Sequence, residues 1–240
     1  MENLHETVAV NSWLYWIGWA SSIFFIWFTV WLGGKLSIRG RKSFERGWAF
    51  VLIMSFVAMT TLSIIRGEFS WGNSLPIHLC GFSRLLAIGY FFFKKRWMGE
   101  LVTFTGISGG LQSILTPEFT HGIQGIYVVD YYLNHASIIA IGLYIIFVHL
   151  QPLQKRAWLR NFGRVQFLAA FALGFNLLVG ANYMYLLEPP LANNPLVITS
   201  ESFPYLHVVL FEVFAALNFY IIEKVLRRIR VRNSIGVRIV

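Results

Sequence analysis

The chain has 240 residues, 56% of them hydrophobic and only 13% charged, with a mean hydropathy of +0.60. Soluble domains carry roughly 25% charged residues, so a water-soluble globular protein is excluded, and an integral membrane protein with no length left for a soluble domain is expected. The formal net charge of +9 falls in short basic clusters between apolar runs, which points to membrane topology and away from a nucleic-acid partner.

The start, Met1-Glu2-Asn3-Leu4-His5-Glu6, is acidic and lacks a basic n-region, so no cleaved signal peptide is expected. Hydropathy then marks seven runs near the roughly 20 residues that a membrane-crossing helix needs. They are Ser12–Leu32, Trp48–Ile65, Leu75–Phe93, Leu101–Thr116, Tyr131–Leu150, Val165–Leu187 and Leu206–Leu226. The fourth, with Gly106, Gly109 and Gly110, is short and polar, and half-insertion is its alternative. The expected fold class is therefore all-α: a polytopic seven-transmembrane helix bundle forming a single domain over residues 1–240, in the cell membrane.

Orientation follows from the basic residues. Lys35, Arg39, Arg41, Lys42 and Arg46 fall between the first two runs, Lys94, Lys95 and Arg96 between the third and fourth, and Lys155, Arg156, Arg160 and Arg164 where the fifth meets the sixth. Lys224, Arg227, Arg228, Arg230, Arg232 and Arg238 close the last run or follow it. With seven crossings, these 18 of the 20 Lys and Arg residues share one side. The positive-inside rule then places the N-terminus outside and the C-terminus inside. Six crossings with a re-entrant fourth run would put ten basic residues outside. The basic tail is expected to rest on anionic lipid.

With the orientation set, depths follow from the rise of about 1.5 Å per residue. Cys80, His135, Gln112, Asn182 and Glu212 each come to lie about 6–9 Å below the outer end of their helices, with His207 at the rim. Ionisable residues within membrane spans are costly and default to functional sites facing an interior or wet cavity. A polar pocket open toward the outer leaflet is expected.

Cys80 is the chain's one cysteine. Three readings stay open for it: an inert core thiol, a nucleophile, or a metal ligand with His78, His135 or His207. No C-x-x-C or H-x-x-x-H spacing supports a metal, and no phosphate or dinucleotide fingerprint implies a cofactor. Pro76 suits the first turn of a helix, which would place Cys80 just past that turn. His78, two residues before Cys80, points to another face of a regular helix and is better placed to bind a head group. His135 is the better general base, because thiol and imidazole need only meet in space. Arg84 shares the face of Cys80, where it would hold an anion, support a thiolate, or pair with Glu212. Gln112, Asn134, Asn182 and Tyr183 are candidate donors to an oxyanion or interhelical hydrogen-bonding groups. His5, His121 and His149 are expected to be incidental.

Three segments carry a resemblance: Leu75-Pro76-Ile77-His78-Leu79-Cys80, the Asn134-His135 pair, and Asn182-Tyr183-Met184-Tyr185-Leu186. They resemble the YwaF-like bacterial membrane family, whose vertebrate relative is transmembrane protein 164. That relative is regarded as an acyltransferase that places acyl chains on lyso ether phospholipids through a cysteine acyl-enzyme, and its fold looks similar to that of membrane hydrolases acting on lipid esters with threonine and histidine. The resemblance implies Cys80 as nucleophile, His135 as base and a phospholipid or lysophospholipid as partner, making the protein a lipid acyltransferase or lipid-ester hydrolase. A small-solute carrier or channel using the same pocket, and a non-catalytic lipid-binding protein, are the rival expectations.

Overall fold

The computed structural model describes residues 6–120, 122–191 and 197–236, with side chains through Ile229. Residues Met1–His5, His121, Arg238 and the side chains of Arg230 and Arg232 lie outside this description. Among the described residues the elements run β1 (Glu6–Thr7), α1 (Trp13–Lys35), α2 (Ile38–Ile65), α3 (Leu79–Phe93), α4 (Arg96–Leu115), β2 (Glu118–Phe119), α5 (Gly125–Phe147), α6 (Ala157–Val179), one 3-10 turn (Tyr183–Tyr185) and α7 (Leu206–Gly236). Five helices, α1, α2, α5, α6 and α7, are long and apolar enough to cross a membrane; α3 is apolar but shorter. The protein is an all-α membrane protein.

The helices begin and end where local chemistry dictates. Ser12 Oγ accepts the Tyr15 N–H at 3.2 Å and Ser37 Oγ accepts the Gly40 N–H at 3.2 Å, satisfying orphan donors of α1 and α2. Several helices outrun their apolar segments. α2 starts ten residues before Trp48, α4 at Arg96 and α6 at Ala157, because charged first turns stay helical beyond the apolar layer that hydropathy detects. The opposite correction applies to the sixth run. It does not reach Leu187, because Gly180 adopts φ +67 and closes α6 at Val179. Asn182 and Tyr183 therefore stand outside any long helix. The third run is also trimmed: Leu75, Pro76 and Ile77 form a turn and α3 begins at Leu79.

α4 is the centre of the bundle, packing against α3, α5, α6 and α7. It is a continuous helix of 20 residues, and its glycines serve packing. A Cβ on Gly110 would come within 2.7 Å of Ile139 Cγ1, and one on Gly106 would run into the Ile138 carbonyl oxygen. On the facing helix, a Cβ on Gly142 would lie 3.1 Å from Thr103 Cα. Small residues here let α4 and α5 approach closely, as helices in membranes do. The other helices turn apolar faces outward, among them Trp13, Phe24 and Trp27 of α1, Phe167 and Leu178 of α6 and Val213 of α7.

The four basic junctions meet at one end of the bundle. Arg41 Nη1 donates to Val148 O at 3.4 Å, Arg96 Nη2 to Pro152 O at 2.7 Å, and Arg227 Nη2 to Leu153 O at 3.2 Å. Buried Glu45 of α2 lies at this end. It accepts from His149 Nε2 at 2.6 Å and Tyr144 Oη at 3.2 Å, and it pairs with Lys94. His149 Nδ1 meets Tyr90 Oη at 2.9 Å, so this histidine is a built structural element, contrary to the expectation that it is incidental. Glu45→Gln leaves Lys94 and His149 without their anion and is expected to cost about 2 kcal/mol, read as a lowered unfolding midpoint in detergent.

At the opposite end, β1 pairs antiparallel with β2, Glu6 opposite Phe119 and Thr7 opposite Glu118. This ribbon ties the N-terminal segment over the turn that joins α4 to α5, beside a cavity lined in part by Glu118 and Phe119.

Candidate functional site

The cavity holds about 480 Å³, within the roughly 300–1,000 Å³ of ordinary ligand pockets. Its apolar wall includes Ile138, Val165, Val208, Phe211 and Phe214, and its polar wall carries Cys80, Arg84, Gln112, Ser113, Asp130 and His135. Side chains from α2, α3, α4, α5, α6, α7 and the turn after α6 converge on it. Seven residues expected at a shared pocket line it: His78, Cys80, Arg84, Gln112, Asn134, His135 and Glu212.

Cys80 is the second residue of α3, half-buried, with Sγ 3.6 Å from Ser113 Oγ of α4. Its placement corrects the expectation: Pro76 is outside the helix, so Cys80 sits within the first turn and not just beyond it. There the leading N–H groups of the helix have no intrahelical partner. Gly109 makes room for it, since a Cβ at that position would stand 3.4 Å from Cys80 Sγ.

His135 lies ten residues into α5, about 15 Å from the helix start, whereas the expected 6 Å is counted from Tyr131, where the apolar run begins. α5 begins six residues earlier than its apolar run, and that extra length rises past the cavity beside β2. His135 Nδ1 lies 2.7 Å from the Tyr131 carbonyl oxygen. A carbonyl only accepts, so Nδ1 carries the proton and Nε2 is the basic nitrogen. The imidazole packs against the Tyr131 ring at 4.2 Å between centroids, and Tyr131 Oη donates to Ser113 O at 2.8 Å. Ser113 thus touches Cys80 through its hydroxyl and the residue that orients His135 through its carbonyl. Sequence spacing missed both Ser113 and Tyr131, because neither is unusual in an apolar helix.

Arg84 is paired differently from the Glu212 alternative. Its Nη1 donates to Asn134 Oδ1 at 2.9 Å and its guanidinium lies 4.9 Å from the centre of the Phe56 ring. Asn134 also hydrogen-bonds Asp130, whose carboxylate takes the Ser55 hydroxyl. Asp130 was passed over because it precedes the apolar run; only the early start of α5 brings it one turn from Asn134. Glu212 instead accepts from Gln166 Nε2 at 2.7 Å, and Gln112 Nε2 donates to Thr116 Oγ1 at 3.2 Å.

Three expected site residues do other work. Asn182 accepts the N–H groups of Leu187 and Glu188 at 3.1 and 3.2 Å, shaping the turn. Tyr183 is fully buried and braces the α3 approach, donating to Trp71 O at 2.9 Å and accepting from Leu75 N at 3.0 Å. His207 is also buried, its nitrogens facing Pro204 O at 3.2 Å and Tyr185 O at 3.0 Å. His78 accepts the Met184 N–H on Nδ1 at 3.1 Å, which helps hold Met184 and Tyr185 in left-handed conformations at φ 59 and 53. Asn176 completes that turn, accepting Tyr183 N at 2.8 Å and donating to Tyr183 O at 2.9 Å. Among the described residues, no three His, Cys, Asp or Glu side chains converge to hold a metal ion.

An uncharacterised protein from Treponema pallidum (strain Nichols) is 26% identical to the chain over 150 residues, 62% of each protein. The chain therefore spans about three-fifths of that relative's length. No solved structure matches the chain. The TMEM164 family matches residues 6–223, which take in the turn before Cys80, the Asn134-His135 pair and the strained turn after α6; the chain belongs to the TMEM164 family.

Proposed function

We propose that the protein is a lipid acyltransferase or lipid-ester hydrolase that works through a thioester on Cys80. The observation that carries this reading is the placement of a first-turn cysteine and a histidine with a basic Nε2 on the wall of one cavity. His135 Nε2 removes the Cys80 proton. The thiolate attacks the acyl carbonyl of a membrane lipid ester, the tetrahedral oxyanion collapses, and the carbon–oxygen bond breaks. The departing alkoxide takes the proton back from His135 and leaves as a lysolipid or alcohol. A second hydroxyl, from a lysolipid or from water, then gives its proton to His135 and attacks the thioester, restoring the thiol.

The oxyanion donors are the leading N–H groups of α3 and the second N–H of the Gln112 amide, whose first goes to Thr116 Oγ1. Asn134 is committed to Arg84 and Asp130, and Asn182 to its own turn, so neither is assigned that role. The apolar wall of Val165, Val208, Phe211 and Phe214 suits an acyl chain. In this reading all seven helices span the cell membrane, the basic end faces the cytoplasm by the positive-inside rule, the cavity belongs to the outer half, and the C-terminal cluster rests on anionic lipid. The reading invokes no metal or nucleotide.

The intermediate is the direct test. Purified full-length protein incubated with a diacyl phospholipid is expected to gain the mass of one acyl chain on the peptide holding Cys80, lost on treatment with neutral hydroxylamine. Transport of a small solute in proteoliposomes, undiminished in Cys80→Ser and without any acyl adduct, would replace this reading with that of a carrier.

A further inference from the structure

We propose that Arg84 is a positioning residue that supports the anionic form of Cys80, and that Asp130, held off by Asn134, limits that support. The inference rests on the thioester reading above. Arg84 follows Cys80 by four residues, so the two side chains share one face of α3 a turn apart, and both line the cavity. Arg84 is the one Lys or Arg among the described lining residues. The carboxylates there, Glu118 on β2, Asp130 on α5 and Glu212 on α7, all oppose a second negative charge. The remaining titratable groups on the wall are His78 at the start of α3, His135, Tyr127 and Tyr131 on α5, and Tyr185 in the turn after α6. None of these supplies a fixed positive charge.

Arg84 is held firmly in place. Asn134 Oδ1 takes one N–H at 2.9 Å and Phe56 offers its ring face at 4.9 Å. The nearby carboxylate reaches the guanidinium through an amide: Asn134 uses Oδ1 for Arg84 and its NH₂ for Asp130, and Ser55 secures the far side of Asp130. A direct ion pair would cancel the field of the cation. An amide-separated pair leaves the cation's field uncancelled, and at one helical turn in a poorly solvated site such a charge is felt strongly. The same arrangement gives half-buried Asp130 a role: it lets a guanidinium be retained in an apolar bundle without neutralising it.

The test uses the fact that Cys80 is the chain's one thiol. Iodoacetamide alkylation of the full chain in detergent is followed from pH 5 to pH 10. Arg84→Gln is expected to move the rate profile to higher pH and slow alkylation at neutral pH about tenfold, while Arg84→Lys restores most of it. Asp130→Asn is expected to move the profile to lower pH, the opposite direction. If both neutralising variants unfold more easily but leave the profile unmoved, Arg84 and Asp130 are structural and the inference falls. Should Arg84→Gln fail to fold, Asp130→Asn decides alone, and a profile that stays put or rises overturns the role. A wild-type thiol that never reacts across the range would overturn the thioester reading as well. A reactive thiol with unmoved variants would overturn only the role of Arg84.

Discussion

Cys80→Ala is expected to abolish lipid acyl turnover, with a loss of about 10⁴-fold or more, and His135→Ala to bring a comparable loss. Two residues that act as nucleophile and base of one step fail together, so the double variant should be scarcely worse than either single one. The measurement is release or transfer of a labelled acyl chain by purified protein in mixed micelles. Cys80→Ser is the informative intermediate: a hydroxyl is far less acidic than a thiol, so a weak residual rate that still needs His135 would confirm the base. Neither position is a major packing contact. Both are half-buried and face the cavity, so the unfolding midpoint should change little. Full turnover in Cys80→Ala would refute the mechanism, and a collapsed midpoint in that variant would mean the thiol matters for packing.

Gly106→Ala is expected to have the largest effect on stability. The added methyl would enter the space of the Ile138 carbonyl oxygen, and a backbone atom on a rigid neighbouring helix cannot rotate away. Overpacking of this kind costs typically 1–3 kcal/mol and sometimes more. At the α4–α5 seam, where backbone meets methyl, about 3 kcal/mol is expected. For a chain of this size that corresponds to a fall in midpoint of about 6–12 °C. Gly47→Ala, where an added Cβ meets nothing within 4 Å, is the control and should leave the midpoint in place or raise it. Because His135 follows Tyr131 and precedes Ile138 on α5, displacement at this seam should also lower turnover in whatever protein remains folded. Equal midpoints for the two variants would show that α4 and α5 do not meet as closely as described.

Much of the architecture was legible in the chain. Apolar runs of about twenty residues located the cores of the helices, because removing a backbone from water demands an internally hydrogen-bonded helix wherever side chains cannot attract water. The basic junctions could be grouped correctly, and Arg41, Arg96, Arg160 and Arg227 do gather around Glu45, Glu100 and the segment 148–154. The pocket was also legible in outline, since polar side chains in an apolar helix must face one another or a cavity. What hydropathy blurs is the ends of helices. It reads Gly180 and the residues after it as a continuing span, although φ +67 at Gly180 turns the chain back. It likewise stops short of Asp130, which is helical only because α5 runs six residues beyond its apolar part. The polar, Gly-rich fourth run leaves half-insertion open as an alternative to a full span; in the structure its Gly106 and Gly110 are close-packing positions against α5.

The amino-acid sequence by itself determined that this is a helical membrane protein, that Cys80 is its one thiol, and that His135, Arg84, Gln112 and Glu212 belong to one polar region. Composition and periodicity suffice for such conclusions, because they depend on how each segment partitions between water and lipid. The tertiary structure decided the partners. It set Ser113 beside Cys80, gave Arg84 to Asn134 instead of Glu212, assigned the proton on His135 through the Tyr131 carbonyl, and turned Asn182, Tyr183 and His207 into braces. Those outcomes depend on helix rotation and on contacts a few ångströms wide between residues far apart in the chain, such as Arg84 with Asn134, and no local pattern encodes them.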